Sequence, residues 1–274
     1  MTTRFAPSPT GLLHLGHAWS AHVVWSRGPA LLRIEDIDRA RVRPEFEAAI
    51  FEDLRWLGFE WPEPVMRQSR RLAHYSDAVD RLAALGLVYP CSCTRAEIRA
   101  ALSAPQEGAG EVVYPGTCRG RSMSEAGPGD ALRLDMAAAT EGFARMFDEI
   151  GPIRPGRHVA EPGPAGDIVL SRRDIGTSYH VAVVVDDAAQ GITEVVRGAD
   201  LWDATPIHVL LQSLLKLPTP RYHHHRLVRY EMGKRLAKRD DARAIRAYRQ
   251  EGLSPAEVIS LAEAGTSSPS RTAV

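Results

Sequence analysis

Arg4-Phe5-Ala6-Pro7-Ser8-Pro9-Thr10-Gly11, followed by His14-Leu15-Gly16-His17, is the stretch on which the fold of this chain turns. Arg4 to Ala6 suits a short strand. Two prolines and a glycine then impose a loop, and the apolar residues from Leu15 to Trp25 favour a helix. Two imidazoles flanking a glycine at a helix start make a small anion site, reinforced by the unpaired backbone N–H groups and the helix dipole. Gly16 lets a flat ligand approach the backbone. His14, Gly16 and His17 therefore read as a nucleotide site whose histidines donate to triphosphate oxygens. The bland alternative is two surface histidines near a helix start, and the strand and Pro-rich loop before them weigh against it.

Outward from this stretch the pattern continues. Ala30-Leu31-Leu32-Arg33-Ile34, bounded by Gly28-Pro29, is short and apolar and reads as a buried parallel strand. Pro44 starts a helix with apolar Phe46, Ile50, Leu54 and Leu57, and Leu72 to Leu85 repeats that spacing before Gly86. This alternation predicts an α/β fold with a parallel sheet. The stretch 90–130, rich in Gly, Pro and Ser, breaks the alternation and reads as an insertion. The α/β pattern is expected to resume with Ile168-Val169-Leu170 and with Val181 to Val185, read as a strand. Residues 240–262 should be helical, with a start at Ser254-Pro255.

The chain has 274 residues, with 34 Lys+Arg against 34 Asp+Glu. Zero formal charge argues against a general nucleic-acid coat protein but leaves room for a local basic patch. No apolar run is long enough to cross a membrane, nothing at the N-terminus looks like a signal peptide, and a reducing cytoplasm is the expected location.

All three cysteines fall in the insertion: Cys91-Ser92-Cys93, then Cys118 after a Gly/Pro loop. Three thiolates so spaced supply three positions of a tetrahedral zinc site and leave the fourth open. No histidine lies between residues 75 and 157, whereas Tyr114 stands four residues before Cys118, and a metal can favour a phenolate. The run His223-His224-His225 is no second metal site, because neighbours on a strand face opposite ways.

Taken together, these segments resemble class I aminoacyl-tRNA synthetases of the glutamate-activating branch. Arg4 to Thr10 with His14 to His17 carries the first signature. Arg33-Ile34-Glu35-Asp36-Ile37-Asp38, Val184-Val185-Asp186-Asp187 and Val196-Arg197-Gly198-Ala199-Asp200-Leu201 follow in order. Arg235-Leu236-Ala237-Lys238-Arg239 resembles the second nucleotide signature, with Arg235 and Ala237 in place of the usual lysine and serine, which should slow activation rather than abolish it. The resemblance spans residues 4 to about 240. It implies an α/β, Rossmann-like parallel-sheet catalytic domain with a small zinc-containing insertion and a short helical C-terminal cap. The expected units are 1–89 and 131–239 for the two catalytic halves, 90–130 for the insertion, 240–264 for the cap, and a disordered tail 265–274.

The resemblance also implies the site. Arg4 and Arg197 would clamp the carboxylates of glutamate, Glu35 would meet its ammonium, and Tyr179 would close over it. Phe5, Ala6, Pro7 and Ser8 would complete the wall. His14, His17 and Lys238 would be catalytic, binding ATP together with Gly16. Cys91, Cys93, Tyr114 and Cys118 would hold one structural Zn2+. Val183 stands where longer relatives carry Asn, a pattern of the short, queuosine-modifying paralogues. The implied reaction activates L-glutamate with ATP and Mg2+ and transfers it to queuosine in the anticodon loop of tRNA(Asp). Basic candidates for that RNA are Arg119, Arg121, Arg226, Arg229, Lys234, Arg235, Lys238, Arg239, Arg243 and Arg246. The length suggests a catalytic core without an anticodon-reading portion, and a monomer is expected. A truncated synthetase charging a tRNA 3′ end and a catalytically retired binding module remain as alternatives.

Overall fold

The computed structural model describes residues 1–94, 96–98, 113–228 and 243–265. The opening signature folds as the sequence predicts: β1 (Thr3–Phe5), a loop, then α1 (Leu15–Ser26). β1 pairs in parallel with β2 (Ala30–Ile34), and β2 with β3 (Met66–Arg67). α2 (Pro44–Trp56) crosses between β2 and β3, starting at Pro44, whose missing N–H costs nothing at a helix start. α3 (Leu72–Ala84) ends before Gly86, which takes φ 73°.

β4 (Val88–Cys91), β5 (Ala131–Leu134) and β8 (Val169–Ser171) form a separate antiparallel sheet. Val88 faces Leu134 and Cys91 faces Ala131, so the stretch between Cys91 and Ala131 is closed at its base by a strand pair. A short helix, α4 (Met136–Ala139), follows. Two expectations need correction. The strand at Ile168–Leu170 exists but pairs antiparallel with β5 and is not part of the parallel sheet. Val181 to Val185 is no strand: it lies inside α5 (Tyr179–Ala189), where the Ser178 Oγ accepts from the Val181 N–H at 3.4 Å. A helix buried on nearly every side presents the same unbroken apolar run as a buried strand, and the cap outweighs the β-branched preference.

The second parallel element comprises β9 (Glu194–Gly198) and β10 (Arg221–His225), with β10 also parallel to β6 (Met146–Glu149), which turns back into β7 (Gly156–Val159). The N–H groups of Thr193 and Glu194 both donate to the Thr2 carbonyl, setting β9 beside β1. α6 (Thr205–Leu214) precedes β10. The helical C-terminal stretch is two helices, α7 (Ile245–Gln250) and α8 (Pro255–Ala264), the latter starting at Ser254-Pro255 with a capping box to Glu257. One core packs α1 and α8 against β1 and β2, and a second packs α3, α5 and α6 together. Among the described residues no helix is long and apolar enough to cross a membrane. The expected tail beyond Gly265 and the whole Arg235–Arg239 signature lie outside the described residues.

Candidate active site

A cavity of about 480 Å3 opens at the C-terminal ends of β1, β2, β9 and β10, where parallel strands leave room for ligands. It gathers Arg4, Phe5, Ala6, Pro7, Ser8, His14, Gly16, His17, Glu35, Tyr179 and Arg197, residues up to 193 positions apart in sequence. Lys238 lies outside the described residues. Val228 lines the cavity, and Ala244 bridges to His14 while the Ile245 N–H donates to the Leu13 carbonyl at 2.8 Å. The described residues on either side of 229–242 thus lie at the cavity and at the nucleotide signature.

The floor is an ion cluster. Arg4 grips Asp187 with two N–H groups at 2.9 and 3.2 Å and donates a third to the Val196 carbonyl. Arg33, fully buried, reaches Asp187 at 2.6 Å and Glu35 at 3.1 Å. Two guanidinium groups therefore face two carboxylates and cancel. Burial pushes the Asp187 carboxyl up, but Arg4 and Arg33 outweigh it and hold it below its ordinary range. Burial wins at Glu35, whose carboxyl is raised despite Arg33 and Arg4.

Arg197 differs. It is buried and donates to the His224 Nε2 at 3.1 Å, the His208 Nδ1 at 3.0 Å and the Thr205 Oγ1 at 2.7 Å, all neutral acceptors. Its charge is thus uncompensated by a direct carboxylate contact, and Arg4, Arg33, Arg197, Asp187 and Glu35 together carry one net positive charge, to which the cavity residues Asp200 and Arg226 add one charge of each sign. Glutamate, with two carboxylates and one ammonium, carries the complementary negative charge. Tyr179 walls the cavity at the first turn of α5, and burial raises its hydroxyl, keeping it a neutral donor. Val183, one turn on, is buried in the core of α3, α5 and α6 and does not line the cavity.

At the start of α1 the two histidines form a capping box. The His14 Nδ1 accepts from the Gly16 N–H at 3.1 Å, and the His17 Nδ1 accepts from the His14 N–H at 3.2 Å. Each neutral imidazole therefore carries its proton on Nε2. The rings lie 3.9 Å apart at the positive end of the helix. A Cβ on Gly16 would sit 3.0 Å from the His14 ring, so the glycine also makes room for the imidazole.

The second constellation is the cysteine turn. The sulfurs of Cys91, Cys93 and Cys118 lie within 4.8 Å of one another. The Tyr114 hydroxyl stands 3.4 Å from the Cys91 Sγ and 3.5 Å from the Cys93 Sγ, and accepts the Cys118 N–H at 2.8 Å. Burial works against the Cys118 thiolate, yet Tyr114, Cys93 and Ser92 draw the thiol down to about 6. Burial and the cysteines push the Tyr114 hydroxyl up in the absence of a cation, a balance that a metal charge reverses. Three thiols and one phenol converging on a point fit a tetrahedral zinc ion. The Arg173 guanidinium ties this turn to the segment leading into α5, donating to the Cys93 carbonyl at 2.6 Å and the Cys91 carbonyl at 3.1 Å.

Several residues of the site escaped the sequence reading. Arg33 stood inside the apolar run 30–34, and a charge in a buried strand is itself a signal of a buried partner. His225 lines the cavity and bonds the Ser20 Oγ at 3.1 Å, while His224 faces Arg197, so the histidine run serves both faces of β10. Thr205, His208 and Glu149 come from elements with no motif to announce them.

The family described as class I tRNA synthetases (E and Q), catalytic domain, matches residues 1–271. A glutamyl-Q tRNA(Asp) synthetase of Rhodobacter capsulatus is 55% identical, over 94% of this chain and 98% of the relative. One of Nocardia farcinica is 44% identical, over 94% of this chain and 82% of the relative. The crystal structure of a glutamate tRNA ligase from Elizabethkingia meningosepticum, in complex with its amino acid, superposes with a TM-score of 0.76 at 26% identity, covering 96% of this chain and 60% of that one. The chain thus spans about 60% of the length of that solved relative.

Proposed function

The chain belongs to the class I tRNA synthetases of the glutamate and glutamine group, and on that footing we propose that it activates L-glutamate with ATP and transfers it to queuosine at the wobble position of tRNA(Asp). The observation that carries the first half is the cavity's charge: a cancelled cluster of Arg4, Arg33, Asp187 and Glu35 beside an uncompensated Arg197. The relatives' names support the second half.

Arg197 takes a carboxylate of the substrate, with Arg4 contributing its remaining N–H donors, and Glu35 receives the ammonium. Tyr179 covers the bound amino acid and Phe5 to Ser8 form the opposite wall. An oxygen of the α-carboxylate attacks the α-phosphorus of ATP, the bond to pyrophosphate breaks, and glutamyl-adenylate forms. The protein's work is positioning and charge neutralisation. His14 and His17 supply Nε2–H donors and α1 its positive end, while Mg2+ arrives with ATP as part of the nucleotide substrate. Lys238 would add charge to the leaving pyrophosphate. A hydroxyl of the queuosine ring then attacks the activated carbonyl, and AMP departs as the mixed anhydride C–O bond breaks.

Cys91, Cys93, Tyr114 and Cys118 would hold one zinc ion, which supplies a structural crosslink and takes no part in the chemistry. Among the described residues the core around that turn is small, Tyr89 with Cys91, Tyr114 and Cys118, so such a crosslink would add to its stability. Arg226 lies on the cavity rim, where it can meet RNA phosphates, whereas Arg119 and Arg121, beside that turn in sequence, are paired with Asp167 and Asp130 and could meet RNA only from those pairs. A monomer acting in the cytoplasm completes the proposal.

The test is ATP–pyrophosphate exchange with glutamate in the absence of tRNA, then glutamate transfer to tRNA(Asp) with and without queuosine. Exchange without tRNA and transfer only to the queuosine-bearing tRNA are expected. Transfer indifferent to queuosine, or directed to a tRNA 3′ end, overturns the acceptor assignment.

A further inference from the structure

We propose that His208, with Thr205 and His224, determines the preference of the pocket for an acid over its amide, by holding Arg197 through neutral acceptors alone. The inference rests on glutamate being the amino acid activated. Its starting point is the contrast between two buried arginines that line one cavity. Arg4 is gripped by Asp187 at 2.9 and 3.2 Å, so its charge is already answered. Arg197 is held just as firmly, yet by Thr205 Oγ1, His208 Nδ1 and His224 Nε2 at 2.7, 3.0 and 3.1 Å. One N–H on each terminal nitrogen of Arg197 is left over, the fork that a carboxylate accepts.

A guanidinium does not give up its proton, so each imidazole must accept from it, and this fixes both tautomers. His208 carries its proton on Nε2 and donates it to the His180 Nδ1, 3.1 Å away. His224 carries its proton on Nδ1 and donates it to the Glu149 Oε2 at 2.6 Å. Glu149 is the nearest carboxylate along this chain of bonds, and it is kept one imidazole away from Arg197. Its other oxygen is occupied by the N–H groups of Gly151 at 2.7 Å and His224 at 2.9 Å. Burial, and then Arg197 itself, hold His208 well below its ordinary value, so it remains a neutral acceptor. His208 is thus a positioning residue. It aims the guanidinium without neutralising it, and the unanswered charge discriminates a carboxylate from the isosteric carboxamide of glutamine.

Asparagine and aspartate at position 208 separate aiming from neutrality. Both place an oxygen acceptor near the Nδ1 position and have nearly the same shape, but aspartate adds a negative charge. His208→Asn is expected to keep the KM for glutamate within about threefold of the parent. His208→Asp should raise it by roughly thirtyfold or more, leave the KM for ATP within about twofold, and erode the preference for glutamate over glutamine. ATP–pyrophosphate exchange with each amino acid, on variants whose melting curves show a folded protein, reads all three. Should His208→Asp not fold, the Thr205→Asn and Thr205→Asp pair carries the same expectation at the second acceptor. Wild-type protein that fails to exchange with glutamate would remove the functional reading and this inference with it. Wild-type exchange, with the Asn and Asp variants equal in glutamate KM, would overturn the inference alone.

Discussion

Replacing Glu35 by glutamine tests the electrostatic reading of the cavity most directly. Glutamine keeps the volume, and its carbonyl oxygen can still accept the Arg33 N–H that now lies at 3.1 Å. What disappears is one negative charge. The cancelled cluster of Arg4, Arg33, Asp187 and Glu35 gains a net positive charge, and with Arg197 the substrate ammonium meets two. A hydrogen bond to a charged group contributes about 1.5–3 kcal/mol, so kcat/KM for glutamate should fall roughly 10- to 150-fold. The KM for ATP should not change, because the phosphate donors sit on α1. Stability should move the other way. Burial raises the Glu35 carboxyl, so above its ordinary range the ionised side chain opposes folding, and the amide removes that opposition. The variant should melt no lower than the parent at neutral pH. In the parent, kcat/KM for glutamate should decline with falling pH as Glu35 takes up its proton, and the variant should lack that limb. ATP–pyrophosphate exchange from pH 5 to 8 supplies the profile. A loss below about threefold, or an identical acid limb in both proteins, would refute the assignment of Glu35 to the ammonium.

Other outcomes follow from separate parts of the molecule. Protein purified in limiting chelator should carry close to one zinc per chain by elemental analysis. Cys118→Ser should lower both that content and the melting temperature, whereas full metal content in the variant would exclude Cys118 as a ligand. Tyr114→Phe preserves the ring under the Arg133 guanidinium, 3.8 Å from its centroid, and should weaken zinc affinity at least tenfold in a competition titration if the phenol is the fourth ligand. Asp53 is buried in α2, and burial, followed by Glu52, raises its carboxyl to about 6 against the pull of Arg246 and Arg249. Its ionised form therefore costs stability increasingly between about pH 4 and 6, and Asp53→Asn should stabilise by on the order of 1–3 kcal/mol at pH 7.5 and by nothing at pH 3.5, read from denaturant melts. A Cβ on Gly151 would stand 2.6 Å from the Glu149 Oε1 and 2.7 Å from the His224 backbone, so Gly151→Ala should destabilise by about 1–3 kcal/mol and raise the KM for glutamate by disturbing the support of Arg197.

The local parts of this protein were legible before its structure. A strand, a Pro-rich loop and a capped helix are written in neighbouring residues, and β1, α1, β2, α2 and α3 lie where their punctuation places them. The Val181–Val185 run was not, because burial on all sides erases the periodicity that separates helix from strand. The site shows the same division. His14, Glu35 and Arg197 sit in motifs, Tyr179 follows from the resemblance, and all four meet in one cavity. What Arg197 touches does not follow from any motif: Thr205 and His208 come from α6, and His224 from β10. Such partners are chosen by tertiary packing, and only the folded structure shows that none of them is a carboxylate. The reading of Arg4 as a substrate clamp needed the same refinement, since Asp187, its partner, is 183 residues away.

Arg173 joins two regions whose tasks are otherwise separate. It is moored to the carbonyls of Cys91 and Cys93, and six residues later the same segment delivers Tyr179 to the amino-acid cavity, through a turn closed by the Gly176 N–H on the Arg172 carbonyl at 2.8 Å. So short a span has little slack. When the cysteine turn is pinned, the aromatic wall of the cavity is pinned with it, and when the turn loosens, the wall is free to drift. If the turn holds the proposed zinc, removing it should register as weaker grip on the amino acid at temperatures where the rest of the fold still stands, before the melting curve records any damage.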